Sequence, residues 1–271
     1  MAICNVDSFG IASFIENNTT HTVLIGKNWQ AHVKSGKPTG SYISKGFSKH
    51  AFKGYYKSKD YGVFQCQPAS STSTSNKSDL YDKLCLLGMA QFFLDSFYHR
   101  AADFKVRNLL GSFIGKVPCI DAVSQIGMED TRSLIYNTFL ASPLLDINSN
   151  TKERKFLENN NTSPNTDPLG HIIDAYIHHA LLDSDMSILL VDVQGIVLGA
   201  QSVVLFDPQA HTDDMSSGYW DKGKSEIDKY LAQHRCNSVC QSLGLNKQDI
   251  LGSRNEPTPG SSSLYPLQIG F

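Results

Sequence analysis

The sequence predicts an α+β fold in two lobes, and three observations lead there. Short segments rich in β-branched and aromatic residues fill 21–68, each bounded by glycine, proline or a polar turn. A helical pattern follows from Ser78. A very polar stretch, 148–167, then separates this half from a second one that alternates helix and strand.

The first-half segments His21-Thr-Val-Leu-Ile, Gly40-Ser-Tyr-Ile-Ser, Tyr55-Tyr-Lys and Tyr61-Gly-Val-Phe-Gln-Cys read as a small antiparallel sheet. The Ser/Thr run 69–75 has no apolar anchor and reads as an exposed loop. Leu80, Leu84, Leu87, Met89, Phe92, Phe93, Leu94 and Phe97 recur at helical intervals, giving one amphipathic helix over 78–100 with Ser78 as its cap. Residues 133–145 read as a strand ending at a proline, with a hinge near 141–146, and 148–167 as largely loop. Beyond it come a helix over 174–182, a buried strand over 187–193 and a helix over 225–234 leading into Leu243-Gly244. The predicted organisation is an N-terminal extension, 1–20; an N-lobe, 21–145; a C-lobe, 146–253; and a flexible tail, 254–271, carrying Pro-Thr-Pro-Gly-Ser-Ser-Ser.

Composition narrows the function. With 271 residues and 41% hydrophobic content, the chain can bury one large core or two joined smaller ones. Charged residues make up 18% and the formal net charge is −2, so there is no basic surplus for a phosphate backbone, and nucleic acid is not an expected partner. Met1-Ala-Ile-Cys-Asn-Val-Asp lacks a cationic start before an apolar stretch, and no run approaches the roughly 20 apolar residues that span a bilayer. The expectation is an intracellular, cytoplasmic protein with no membrane partner. Six cysteines, four of them scattered singly, do not form the dense staple of a small secreted domain.

His234-Arg-Cys236-Asn-Ser-Val-Cys240 puts one imidazole and two thiols within seven residues, with the cysteines one helical turn apart so that both can face one point. Tetrahedral zinc needs a fourth ligand, and His171, His178 and His179 are the candidates. Two core cysteines beside a surface histidine would be the plainer reading of this motif.

Four stretches, in order, resemble the alpha-kinases, a family of atypical protein kinases, and look closest to its expanded fungal branch. They are Gly46-Phe47-Ser-Lys-His-Ala51; Ala175-Tyr-Ile-His178; Asp192-Val-Gln194-Gly195 with Asp207-Pro-Gln-Ala-His-Thr212; and His234-x-Cys236-Asn-x-x-Cys240-x-x-Leu-Gly-Leu245. The resemblance implies a bilobal alpha-kinase fold with a zinc-stapled C-lobe, a nucleotide between the lobes, and transfer of the ATP γ-phosphate to a serine or threonine of a protein substrate. It puts zinc on His178, His234, Cys236 and Cys240. Asp192 would lie by the γ-phosphate and the accepting hydroxyl, and Gln194 and Asp207 would hold magnesium. Phosphoryl transfer asks for little covalent work, so hard oxygen ligands and one orienting carboxylate are the parts it needs. Gly46, Phe47 and Ala51 would belong to a loop over the phosphates, and Ser142 to the hinge beside the base.

The sequence departs from the family in several places, among them the hinge Glu-Pro, which is Ser142-Pro143 here. The strand that should carry a phosphate-pairing lysine reads Gly62-Val-Phe-Gln65-Cys66-Gln67, so the position falls on Gln65, Cys66 or Gln67, none of them a cation. The glycine-rich loop on the substrate side reads Gly218-Tyr-Trp220-Asp-Lys-Gly223, with an indole in a glycine position. Losing an ammonium opposite developing phosphate charge typically costs several kcal/mol of transition-state stabilisation. A kinase-shaped binding module that transfers little phosphate is therefore the alternative reading. The step from Asp192 to Asp207 is also longer than in better-known members, and its apolar part, 196–204, is expected to be a packed loop.

Overall fold

The computed structural model describes residues 1–29, 40–46, 48–66, 76–101, 104–117, 132–145, 151–157 and 165–245. Its mixture of sheet and helix is the predicted α+β class. Phe47, the 69–75 run and the tail from 254 lie outside the described residues. Two compact units make up the chain. One takes Met1–Asn5, Phe14–Leu84 and Leu109–Asp146; the other takes Val6–Ser13, Cys85–Asn108 and Ile147–Phe271.

The first unit is organised by β5 (Lys49–Tyr56) and β6 (Lys59–Cys66), which pair antiparallel over their whole length. Lys57 and Ser58 close the hairpin at φ 47° and 62°, the left-handed pair that a two-residue hairpin turn needs. The sequence suggested only Tyr55-Tyr-Lys as a strand here; the structure extends it back to Lys49, so Ala51 sits inside a strand. Around this hairpin the sheet order is β2 (Ala12–Glu16), β1 (Ala2–Val6), β8 (Phe113–Lys116), β9 (Thr138–Pro143), β6, β5 and β3 (Leu24–Ile25), with β4 (Tyr42–Lys45) also on β5.

Residues 1–20 are thus not a loose extension. Ala2 is opposite Ile114 and only 2% exposed, so β1 and β2 are built into the sheet. Period-two alternation gives the sheet two apolar faces. One packs Tyr42, Phe52, Tyr56, Tyr61, Val63, Phe113, Leu134, Phe139 and Ala141. The other packs Ala2, Cys66, Ile114 and Leu140 against Leu80 and Leu84, near the start of helix α1 (Asn76–Arg100).

α1 begins two residues before the expected cap, because Asn76 is fastened by its side chain: Oδ1 accepts from Cys66 N at 2.8 Å and Nδ2 donates to Thr138 O at 2.9 Å. From Cys85 onward the helix belongs to the second unit. There Tyr176 Oη, from α2 (Pro168–Asp183), donates to Ala90 O at 2.7 Å, and the Phe97 ring meets Tyr176 at 5.8 Å.

The second unit holds two small sheets. One runs in the order β10 (Lys152–Lys155), β12 (Gln194–Gly199), β13 (Ser202–Phe206), β7 (Lys105–Asn108), with β7 parallel to β13; the other pairs β11 (Ile188–Val191) with β14 (Gln209–Thr212). Two expectations are corrected. Residues 196–204 are not a packed loop but most of the β12–β13 hairpin. The polar stretch contains strand β10, whose Lys-Glu-Arg-Lys is the charged composition that protects a sheet edge. Helices α3 (Lys224–Gln233) and α4 (Ser238–Ser242) complete the unit. No helix among the described residues is long and apolar enough to cross a membrane.

α2 starts earlier than the apolar pattern suggested, at Pro168, because Asp167 caps it by accepting from Gly170 N at 3.1 Å. Arg154 grips the same carboxylate with both guanidinium nitrogens, and that pairing holds Asp167 well below the usual carboxylate range. Asp167→Ala should cost about 1–2 kcal/mol near neutral pH, most of it from the cap because the ion pair is half exposed. A depressed folded-state pKa stabilises above the unfolded value and is lost as pH falls. Urea melts should therefore show the gap between wild type and variant closing as pH drops below about 4.

Candidate functional site

The register of the two small sheets brings the motif carboxylates together. β11 and β14 end their ladder at Val191 opposite Gln209, and β12 and β13 begin theirs at Gln194 opposite Phe206. The residues in between, Asp192-Val193 on one chain segment and Asp207-Pro208 on the other, are two adjacent crossings from one sheet to the next. Asp192 (φ 52°) and Asp207 (φ 50°) both take the left-handed conformation that costs a non-glycine residue about 1 kcal/mol or more. Strain shared by two neighbouring aspartates at matching positions is the kind of backbone feature that clusters at functional sites. Gly195 is dictated by packing: a Cβ there would sit 2.7 Å from both Val203 Cγ2 and Val204 O.

Asp192 is held from two sides. Lys155 Nζ forms an ion pair with its Oδ1, and Gln209 Nε2 donates to Oδ2 at 3.2 Å. Lys155 is also directly opposite Gln194 in the β10–β12 ladder, so a cation and an amide stand beside the Asp192 carboxylate at this corner. Sequence reasoning missed Lys155. Within Lys-Glu-Arg-Lys nothing distinguishes it from a solvated edge charge, and only the ladder register singles it out.

The loop after β14 is organised by Asp221, the second residue that the sequence did not announce. Its carboxylate is fully buried and accepts from Thr212 N, Ser217 N, Ser217 Oγ and Gly223 N at 2.8–3.1 Å, and from Thr212 Oγ1. Burial by itself raises this carboxyl, but the His211 ring and the Thr212 and Ser217 donors outweigh it and keep the group well below the carboxylate range. Gly218 (φ 115°) and Gly223 (φ 74°) take backbone conformations that side chains disfavour. Trp220, half-buried, stands edge-on to the exposed Tyr219 at 5.0 Å.

Gly46 occupies the turn between β4 and β5, where its N–H donates to Lys49 O at 2.9 Å. A Cβ there would meet only Lys49 O, at 3.8 Å, so the local packing does not demand glycine. Ser142 lies near the end of β9 and its Oγ is 2.8 Å from Ser112 Oγ. Gln65 is fully buried, with its amide bonded to backbone groups of 135–138.

The His/Cys motif converges as a cluster. His178 comes from α2, His234 from the end of α3, Cys236 from the link that follows and Cys240 from α4, and their ligand atoms all lie within 4.8 Å of one another. His179, one residue on, points elsewhere, with Nε2 3.2 Å from Ser96 Oγ, which resolves the choice that helical phase left open. Asn237 shapes the turn between the cysteines: its Oδ1 accepts from Val239 N and Cys240 N at 2.9 and 3.0 Å, while Nδ2 donates to His171 O at 3.0 Å. Tyr230 stacks on His234 at 5.0 Å. Burial pushes the Cys240 thiol up to about 12, an environment in which a thiolate needs a cation. Two imidazoles and two thiols, all but Cys236 buried and all drawn to one point, suit a closed four-coordinate site with no position left for water.

Comparison with known proteins agrees with this geometry. The sequence model of the Alpha-kinase family matches residues 44–240. The chain is 32% identical over 80 residues to alpha-protein kinase vwkA, and 34% identical over 73 residues to myosin heavy chain kinase A, both of Dictyostelium discoideum. Those stretches are 29% and 27% of this chain and 13% and 6% of the relatives, so the chain spans only a small part of the length of the curated relatives it matches. Among solved structures, the apoenzyme alpha-kinase domain of myosin-II heavy chain kinase A superposes with a TM-score of 0.63 at 15% identity, covering 91% of this chain and 96% of that one. An alpha kinase from Entamoeba histolytica gives 0.59 at 15% identity, over 86% and 95%. A family match over more than half of the residues, on top of a fold and a carboxylate corner reached independently, makes this chain a member of the alpha-kinase family.

Proposed function

We propose that the chain is an alpha-type serine/threonine protein kinase domain that transfers the γ-phosphate of ATP to a protein hydroxyl. The observation that carries this reading is the corner where Asp192, Gln194 and Asp207 meet at two side-by-side strand crossings, with both aspartates in left-handed conformations. Solved alpha-kinase domains of myosin heavy chain kinase A have been captured with AMP and with ATP, which supports ATP as the nucleotide.

In this reading Asp192 accepts a hydrogen bond from the attacking hydroxyl and orients it. Lys155 and Gln209 hold the carboxylate in place. Gln194 and Asp207 offer oxygen ligands for magnesium, which when bound would offset the phosphate charge. Gly46, Phe47, Ala51 and Ser142 would serve the nucleotide, and Gly218, Trp220 and Gly223 the substrate side. The loop held by Asp221 presents Trp220 beside an exposed tyrosine. The retained carboxylates and amide at this corner favour a working kinase over a binding module.

His178, His234, Cys236 and Cys240 would hold zinc, which fixes α2, α3 and α4 at one point.

Incubating the purified chain with labelled ATP, magnesium and a generic basic protein should give transfer that Asp192→Ala lowers by about 10²–10⁴-fold. Equal incorporation by the two proteins would sink the assignment. Lys155→Met should lower kcat more than it raises the KM for ATP, because its contact is with the carboxylate. For the metal, elemental analysis should find stoichiometric zinc in the wild type, lost in His178→Ala together with roughly 10 °C or more of melting temperature. Unchanged metal content in the variant would remove His178 from the ligand set.

A further inference from the structure

β6 and β9 pair as a regular ladder only as far as Phe64 opposite Leu140. Beyond that point the rungs are made by side chains. Gln65 Nε2 donates to Tyr136 O at 2.7 Å and to Thr138 O at 2.8 Å, and its Oε1 accepts from Ile135 N at 2.8 Å and Tyr136 N at 3.2 Å. Both amide hydrogens and both acceptor positions are thereby used inside the protein, at a residue that is 0% exposed. Asn76 adds a second amide to the same Thr138 carbonyl.

The segment that Gln65 grips also covers it. Leu134 is buried in the core cluster with Tyr42, Phe52 and Val63, on the sheet face to which Gln65 belongs by alternation. Trp29 N donates to Arg132 O at 3.1 Å and Val117 N to Asn137 O at 2.8 Å, tying the segment down on either side.

We infer that Gln65 is a positioning residue that clamps 135–138, the lead into β9 and Ser142, and that it does not contact nucleotide phosphate. A lysine at this position has three donors and no acceptor. It would leave the Ile135 and Tyr136 N–H groups unpaired and bury an ammonium among backbone donors, which is costly. Position 65 carries a structural amide, and a single substitution to lysine does not turn it into a phosphate-pairing cation. The clamp stands whether or not the chain is a kinase; the statement about phosphate rests on the proposed function.

The test compares the full chain with Gln65→Lys and with Gln65→Met, which is close in shape but lacks the amide and carries the test if the lysine variant does not fold. Three quantities are read: melting temperature, hydrogen exchange at the Ile135 and Tyr136 amides, and Mg-ATP affinity by calorimetry well below the melting points. The clamp predicts a fall of roughly 5–15 °C in each folded variant. It also predicts exchange at those two amides faster by about tenfold or more, with no gain in affinity. An unchanged exchange rate at Ile135 and Tyr136 overturns it. So does a lysine variant that keeps its melting temperature and binds Mg-ATP about tenfold more tightly. If the wild type binds no Mg-ATP, the kinase reading fails alone, and the exchange and melting results still decide the clamp.

Discussion

A buried amide, carboxylate or imidazole is tolerable only with hydrogen-bond partners or a metal, and that constraint shapes both units. In the first unit Gln65 and Asn76 take over where the β6–β9 ladder ends. In the second, Asp221 collects the donors of an entire loop, Asp167 fixes the start of α2, and two imidazoles and two thiols gather three helices. Apolar burial gives each unit its mass, but these polar commitments set where segments begin, turn and stop.

The carboxylate corner follows the same logic with strain added. Two crossings side by side put Asp192 and Asp207 in left-handed conformations, and the four ladder positions around them hold that geometry. Lys155 and Gln209 then fix one carboxylate while Gln194 stays available on the neighbouring strand. A site assembled from ladder register is rigid, which suits chemistry that depends on placing oxygens rather than on making covalent bonds to the protein.

Much of this was legible in residue order. The Cys-Asn-x-x-Cys turn with His234, the Asp-x-Gln-Gly and Asp-Pro motifs, and the long apolar helix are local patterns, and local geometry is what such spacing encodes. What escaped was non-local. Lys155 looks like any edge charge until β10 is laid against Gln194. Asp221 looks like a turn residue until five donors converge on it. The strands at 1–20 were hidden because apolar Ile3 and Ile15 lie on the exposed face, so Ala2-Ile-Cys-Asn-Val shows no clean apolar/polar alternation.

By itself, the sequence determined the α+β class, the His/Cys motif and the family, because these rest on periodicity and on short fixed spacings. Only the tertiary structure decided which of three histidines joins the thiols, that 196–204 is a hairpin, and that the Gln65 amide bonds the backbone of 135–138. Each of those depends on which distant backbone groups a side chain reaches once the strands are in register, a quantity that no local pattern of residues contains.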